Sequence, residues 1–438
     1  MKRLKALAAW GTLAIAVMAT STAQAQTEVR FARFFGACEA DFGNNLDPST
    51  PSNECGVITT LTNIFNAENP DIKVVPEIVE WGPYYEQLAG RISTGDVPDI
   101  SVMHGDMLIN FVQRGLIEPL DASFVEAGID VEDILPGPRE NVTIDGQIYA
   151  LPQDFVTWLW HTNSGLMGQA GLGSVGTPTY PTSSDELLTQ ARQFKEATGL
   201  PYLSMTLDPS AMSRTFYTLL MQQGYDLFPE ATTEIDLHSP GAMQAFSLIK
   251  TLKDEGLLVL QPDWSTAFTE FSTGKIGNMI GGTWQIGDLV RLSEQTGGAL
   301  EGYVAHVFPT IDGEPAVWSS SHSWVMLKGG AATPEKRTAS LKFLKFLFDN
   351  NIHWARAGHL PMRTSLMSDP AFTEMPYRIG FADIPAIAQH LPKDVRQQRI
   401  IQPFIGEELL AALQGQKSAE EALAAAEQRV NTYLARLR

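Results

Sequence analysis

Gly95-Asp96-Val97-Pro98-Asp99-Ile100-Ser101-Val102-Met103 is the stretch on which the fold turns. Its glycine stops what precedes it, its proline resists helix, and Ile100 to Met103 read as a short strand. Upstream, Tyr84, Leu88 and Ile92 share one helical face that ends at Gly95. Before them, Ile72-Lys73-Val74-Val75 is a strand weakened by Pro76, and Ile58, Leu61, Ile64 and Phe65 recur at helical spacing up to Asn69-Pro70. Val29 and Phe31 mark a first strand over residues 28–35, and Leu108, Phe111 and Val112 begin a helix closed by Gly115. Strand and helix alternate, which predicts an α/β layer structure with largely parallel strands.

Further along, the pattern loosens. Tyr149-Ala150-Leu151-Pro152 leads into an extended aromatic stretch from Phe155 to Trp160, and residues 303–327 form a second extended, aromatic section. Between them, residues 185–197 read as a helix, and 200–300 is rich in amphipathic helical segments such as 241–255. In the tail, Ala422, Leu423, Ala426, Val430 and Leu434 form one apolar face, with acids early and arginines late to complement the helix dipole. No internal repeat is present.

The chain has 438 residues, 44% hydrophobic and 18% charged, a composition that supports two or three packed domains and no disordered or fibrous class. Its formal charge of −19, with no basic run beyond the N-terminus, argues against a nucleic-acid partner. At that N-terminus Lys2, Arg3 and Lys5 precede an apolar run from Ala6 to Ala19 and then Ala23-Gln24-Ala25. This is the pattern of a cleaved signal peptide over residues 1–25, too short for a comfortable membrane span; an uncleaved anchor is the alternative. No cysteine sits at the cleavage site to take a lipid, so the expected compartment is the periplasm. Cys38 and Cys55 are the two cysteines. In an oxidising compartment they are expected to bridge, closing a loop that would contribute about 3 kcal/mol, against the alternative of two buried thiols. Two cysteines without a nearby histidine are too few for a metal site, and no cofactor is implied.

Two tempting motifs fail. Gly171-Leu172-Gly173-Ser174-Val175-Gly176 matches a dinucleotide fingerprint literally, but Pro178 and Pro181 follow where a helix must open, so it reads as a loop. His322 lies between Ser321 and Ser323 without a nucleophile elbow around it. The tryptophans say more. Trp81, Trp158, Trp160, Trp284, Trp318 and Trp324 fall at or near expected strand ends or loops. A sugar ring has a C–H face that suits an indole and a rim of hydroxyls that must be paired by carboxylates, amides or arginine. Tryptophan with acids therefore points to a carbohydrate pocket; taken singly, each indole suits a core as well.

Several segments, in order, resemble the family 1 extracellular solute-binding proteins of ABC importers, the group that includes the maltose- and trehalose-binding proteins. They are Gly95–Ile100 with Gly115–Leu120, Gly146–Pro152, Trp160–Asn163 with Ala170-Gly171-Leu172, Gly274–Met279 with Gly282-Thr283-Trp284, and Gly358–Arg363. The resemblance implies an α/β, two-lobed periplasmic binding protein fold with discontinuous lobes and a hinge. The implied lobes are 26–153 plus 318–350, and 154–317 plus 351–438. It also implies ligand contacts at Glu39 and Asp41 after the first strand, at Trp81, at His104 and Asp106 after the third, at Asp154 and Trp158 after the first crossing, at Trp284, at His322, Ser323 and Trp324, and at Arg363. His161-Thr162 and Ser320–Ser323 depart from the family pattern around the expected cleft, so ligand identity does not transfer.

The function implied is delivery of a di- or oligosaccharide or glycoside, by a monomer without chemistry of its own, to membrane permease subunits. A polyol or an anionic (phosphorylated or sulfonated) glycoside is the alternative ligand, with Arg363, His104 and His322 to hold it. A secreted glycoside-processing enzyme is the rival class; it would need two carboxylates at a set separation, for which Asp106 and Asp154 are candidates.

Overall fold

The structure, a computed structural model, describes residues 26–228, 233–295, 297–300, 302–377, 379–392, 395 and 397–437. The expected signal peptide lies outside the described residues. Two sheets organise the rest. In the first, the strands run in the order Ile72–Ile78, Thr27–Arg33, Ile100–His104, His322–Val325 and Leu151–Pro152. The first three are parallel, and the 322–325 strand is antiparallel to 100–104. Helices Glu54–Glu68, Tyr84–Thr94 and Gly105–Gln113 connect or follow them. This is the alternation expected from the N-terminal third, and the helix 84–94 ends on a left-handed Gly95 that turns the chain into the third strand.

The second sheet is larger. Leu258–Gln261, Leu203–Thr206 and Asn278–Gly282 are parallel neighbours, and Asp154–Asn163 runs antiparallel beside them. That ten-residue strand is buried throughout. It also pairs with Tyr303–Val307, Val317–Ser320 and Leu360–Pro361, so it is the spine of the second lobe. Strands 203–206 and 258–261 lie in the helix-rich section, where no strand was singled out. Each is four residues long, too short for its period-2 signal to stand out from the flanking helices.

The chain passes between the sheets at Gln153, at Ser321 and through residues 350–363. These crossings are bolted together by buried polar groups. Asn351 Nδ2 donates to the Gln153 carbonyl at 2.7 Å, and its Oδ1 accepts from Met362 N at 2.9 Å. Asp154, fully buried, accepts from His322 N (2.8 Å) and Trp354 Nε1 (2.7 Å) and pairs with His322 Nδ1 (2.7 Å). Burial opposes its charge, but the His322 and His359 imidazoles and these hydrogen bonds outweigh burial and hold the carboxyl below its ordinary range.

The tail forms the helix Ala419–Ala435, opened by a capping box between Ser418 and Glu421 and burying the five apolar residues of the expected face. The 171–176 glycines form a loop and hairpin, with Gly173–Ser174 paired to Thr177–Pro178. The Cys38–Cys55 disulfide is present, with Cα atoms 5.8 Å apart. Among the described residues, no helix is long and apolar enough to cross a membrane.

Candidate functional site: a tryptophan-walled cleft between the lobes

In both sheets the C-terminal ends of the parallel strands face a shared cleft, the usual place for ligands in open α/β sheets. A cavity of about 300 Å³ lies there, lined from both lobes. The first lobe contributes Phe34, Glu54, Trp81, His104 and His322; the second contributes Asp208, Arg214, Trp264, Trp284 and Trp318.

The second lobe supplies the aromatic wall. Trp158, wholly buried, is a hub whose ring lies 5.6 Å from Trp264, 5.6 Å from Trp284 and 5.1 Å from Trp318. Trp264 and Trp284 meet at 76° to form a corner. Each is placed by local sequence. Asp263 caps the helix Trp264–Ser272 by accepting from Thr266 N, which sets Trp264 at its first turn beyond a strand end. Trp284 folds back over Gly282, where a Cβ would lie 2.0 Å from the indole, so only glycine fits. Asp208 caps the helix Pro209–Gln222 through Oδ1, and two turns on Arg214 sits 4.2 Å over the Trp318 ring, with Nε donating to Gln402 Oε1 at 2.8 Å.

The first lobe supplies hydrogen-bonding groups. His322 pairs across the sheet with His104, which brings their rings to 4.8 Å. Tyr85 Oη accepts from His104 N at 2.9 Å and lies 2.6 Å from His104 Nδ1, which fixes the ring's orientation. His322 presents Nδ1 to the Asp154 carboxylate at 2.7 Å. Glu54 opens the helix Glu54–Glu68 beside the disulfide, where the helix dipole favours its charge, and Oε1 pairs with His359 Nε2 at 2.9 Å. Trp81, 44% exposed, stands at the mouth.

Of the residues expected to touch ligand, Trp81, His104, Trp284 and His322 line the cavity. The others do not. Trp324 is fully buried, packed on Phe31 and Phe35, with Nε1 donating to Gln153 Oε1 at 2.7 Å. It shares a strand face with His322, but two residues deeper in the sheet that face is core. Ser323 points to the opposite face and is buried. Arg363 is paired with Asp133 at 2.7 Å and lies over Phe348, so its fork is already engaged. Glu39 and Asp41 sit exposed on the short helix Glu39–Phe42, with Glu39 3.5 Å from buried Arg33, whose guanidinium is pushed down to about 10 by burial. Asp154 and Trp158 act behind the wall, as support for His322 and for the indoles. Asp106 lies in a separate void of about 10 Å³.

Glu54, Asp208, Arg214, Trp264 and Trp318 line the cavity without having been singled out as contacts. The signal for Asp208 and Trp264 was Asx capping: Asp-Pro-Ser at 208–210 and Asp263-Trp264 each open a helix just beyond a strand. Elsewhere, Asp236, His238 and Glu427 place possible metal-ligand atoms together, but Glu427 Oε2 already accepts from Leu237 N and pairs with His238 Nδ1, which ties a surface loop to the tail helix.

Two α/β lobes joined by three crossings around an aromatic cleft define a two-lobed solute-binding protein. A family model for bacterial extracellular solute-binding proteins matches residues 56–351, and the chain belongs to that family, whose members bind solutes rather than transform them. A relative from Brucella abortus strain 2308, named as a binding protein, is 27% identical over 336 residues, 75% of this chain and 76% of its own length. The GacH receptor of Streptomyces glaucescens, solved unliganded and with acarbose, superposes with a TM-score of 0.78 at 21% identity over 93% of this chain and 98% of its own. Maltose-bound MalE3 of T. maritima gives 0.79 at 19% over 93% and 100%. These likenesses show the fold.

Proposed function

We propose that the protein is the exported, monomeric receptor of an ABC importer and that its ligand is a neutral carbohydrate held between the lobes. The observation that carries this reading is the wall of Trp264, Trp284 and Trp318 facing Glu54, Asp208, His104 and His322 across one cavity. Flat indoles accept the C–H faces of a sugar, and the carboxylates and imidazoles pair its hydroxyls, which would otherwise be buried at a cost of about 1–3 kcal/mol each. The bodies that close are built on the two sheets and change over at Gln153, Ser321 and 350–363. Closure is a population shift, driven by contacts the ligand makes better with both lobes than with one. The closed form would then dock on the permease, as the family implies.

The anionic-ligand reading is weaker. Arg363, one of its three supports, lies outside the cavity and is held by Asp133, and His104, His322 and Arg214 line the cavity together with two carboxylates, Glu54 and Asp208. A thermal-shift screen of the purified protein against neutral saccharides, polyols and phosphorylated or sulfated glycosides tests the choice. A ligand that binds only the native state raises its melting temperature. We expect the largest rise with a neutral saccharide; a rise confined to anionic glycosides would transfer the assignment to them.

A further inference from the structure

The lobes touch at two places next to residues that line the cavity. At one, the stapled loop of the first lobe meets the second lobe: a Cβ added to Gly287 would lie 1.8 Å from the Ser52 carbonyl oxygen and 2.8 Å from that of Arg356. Ser52 belongs to the loop closed by the Cys38–Cys55 disulfide, and Glu54, two residues on, lines the cavity and binds His359. At the other, the chain leading into helix Gln398–Leu413 reaches across from the second lobe. Gln397 N donates to Asn110 Oδ1 of the first lobe at 3.1 Å. Behind it, Gln398 and Gln402, both buried, join Asp106 around the void of about 10 Å³, room for one water, and Gln402 holds Arg214 on Trp318 at the cavity wall. The Ser52 contact adjoins cavity-lining Glu54, and the 397–402 segment adjoins cavity-lining Arg214 and Trp318, so each joins the lobes next to the cavity. At about 300 Å³ the cavity is at the low end of small-molecule sites.

We propose that this cleft is boxed and selects ligands of one or two sugar rings, refusing longer linear chains and cyclic oligosaccharides. The inference rests on the carbohydrate reading above. A chain that continues past two rings must push aside either the disulfide loop or the 397–402 segment, and each is anchored to both lobes when they are together. A cyclic ligand has no end to insert and meets both stops.

The test is calorimetric titration of the purified protein with matched mono-, di-, tri- and tetrasaccharides of gluco, galacto, manno and xylo configuration, and with cyclic glucans. In whichever series binds, we expect affinity to peak at one or two rings, to fall at least tenfold at the third, and cyclic glucans not to bind. Tri- or tetrasaccharides binding as tightly as the disaccharide, or a cyclic glucan binding at all tightly, overturns the boxed cleft while leaving the carbohydrate reading intact. If no saccharide of any length binds, the carbohydrate reading fails and this inference with it. A Gln398→Ala/Gln402→Ala double variant, shown to be folded by its thermal transition, then assigns the stop. The third-ring penalty is expected to shrink by at least threefold, and an unchanged penalty would show that this segment does not set ligand length.

Discussion

Gly287→Ala separates the closed, ligand-holding form from everything else about the protein. Gly287 is the second residue of helix Ile286–Ser293, with backbone that any L-residue adopts, so alanine suits the helix itself and favours it by up to about 1 kcal/mol. Its main obstacle is the first lobe: the new methyl carbon would sit 1.8 Å from the Ser52 carbonyl oxygen, far inside contact distance, and it would also lie 2.8 Å from the Arg356 carbonyl oxygen in the third crossing. Backbone on both sides cannot rotate away as a side chain would. Overpacking of this kind costs about 1–3 kcal/mol, and the larger share, against Ser52, is relieved when the lobes part, so it falls mainly on the closed form. At about 2 kcal/mol, apparent affinity falls roughly thirtyfold, because ligand must first pay to populate the competent state. Calorimetry on wild type and variant measures it, with the unliganded melting temperature as control. Weaker binding is expected, with the unliganded midpoint moved by no more than a few degrees because the Arg356 contact offsets the helix gain. Binding within twofold of wild type refutes it, and so does a midpoint several degrees lower, which would mean that the Ser52 contact persists without ligand.

Trp284→Ala removes one side of the indole corner and should weaken binding at least tenfold, consistent with the loss of a stacking face and the packing behind it, as read by the same titration. Trp324→Ala should instead cost about 3–5 kcal/mol of stability in urea unfolding, since its indole is core between Phe31 and Phe35. Acid should destabilise the fold in a defined window. Burial pushes the fully enclosed His161 imidazole down to about 3, and burial also lowers His306 and His390. The unfolded chain binds protons that the native state refuses, so stability falls as pH drops below about 6.5 and keeps falling towards 3. Asp154, whose carboxyl is held low, adds to the loss below the ordinary carboxylate range. Urea midpoints between pH 7.5 and 4 check this, and the decline above pH 4.5 should be shallower in His161→Gln.

The first lobe was legible because its elements are of ordinary length and its stops are explicit. Gly95, Asn69-Pro70 and Gly115 punctuate strands and helices whose periodicity needs no tertiary help. The second lobe hid its strands. Leu203–Thr206 and Leu258–Gln261 are four-residue pieces between helices, and without them nothing marked Asp208 and Trp264 as strand-end residues at a cleft. The site was legible as chemistry, tryptophan with carboxylates, but not as an address. Trp318 and Trp324 stand on the two sides of the crossing at Ser321, and only the sheet shows that the first lines the cavity while the second lies under it. Arg363 illustrates the same limit. Its Nε is held by Asp133, 230 positions away in the chain, a partner that local pattern cannot supply.

A crystal structure of the protein with whichever saccharide raises its melting temperature tests the central claim most directly. The account predicts a sugar with its glycosidic bonds intact, its C–H faces on Trp264, Trp284 or Trp318, its hydroxyls on Glu54, Asp208 or the two histidines, and the Ser52–Gly287 and Asn110–Gln397 contacts made around it. A cleft empty of sugar, with the ligand bound to one lobe's outer surface or cleaved in place, would contradict it.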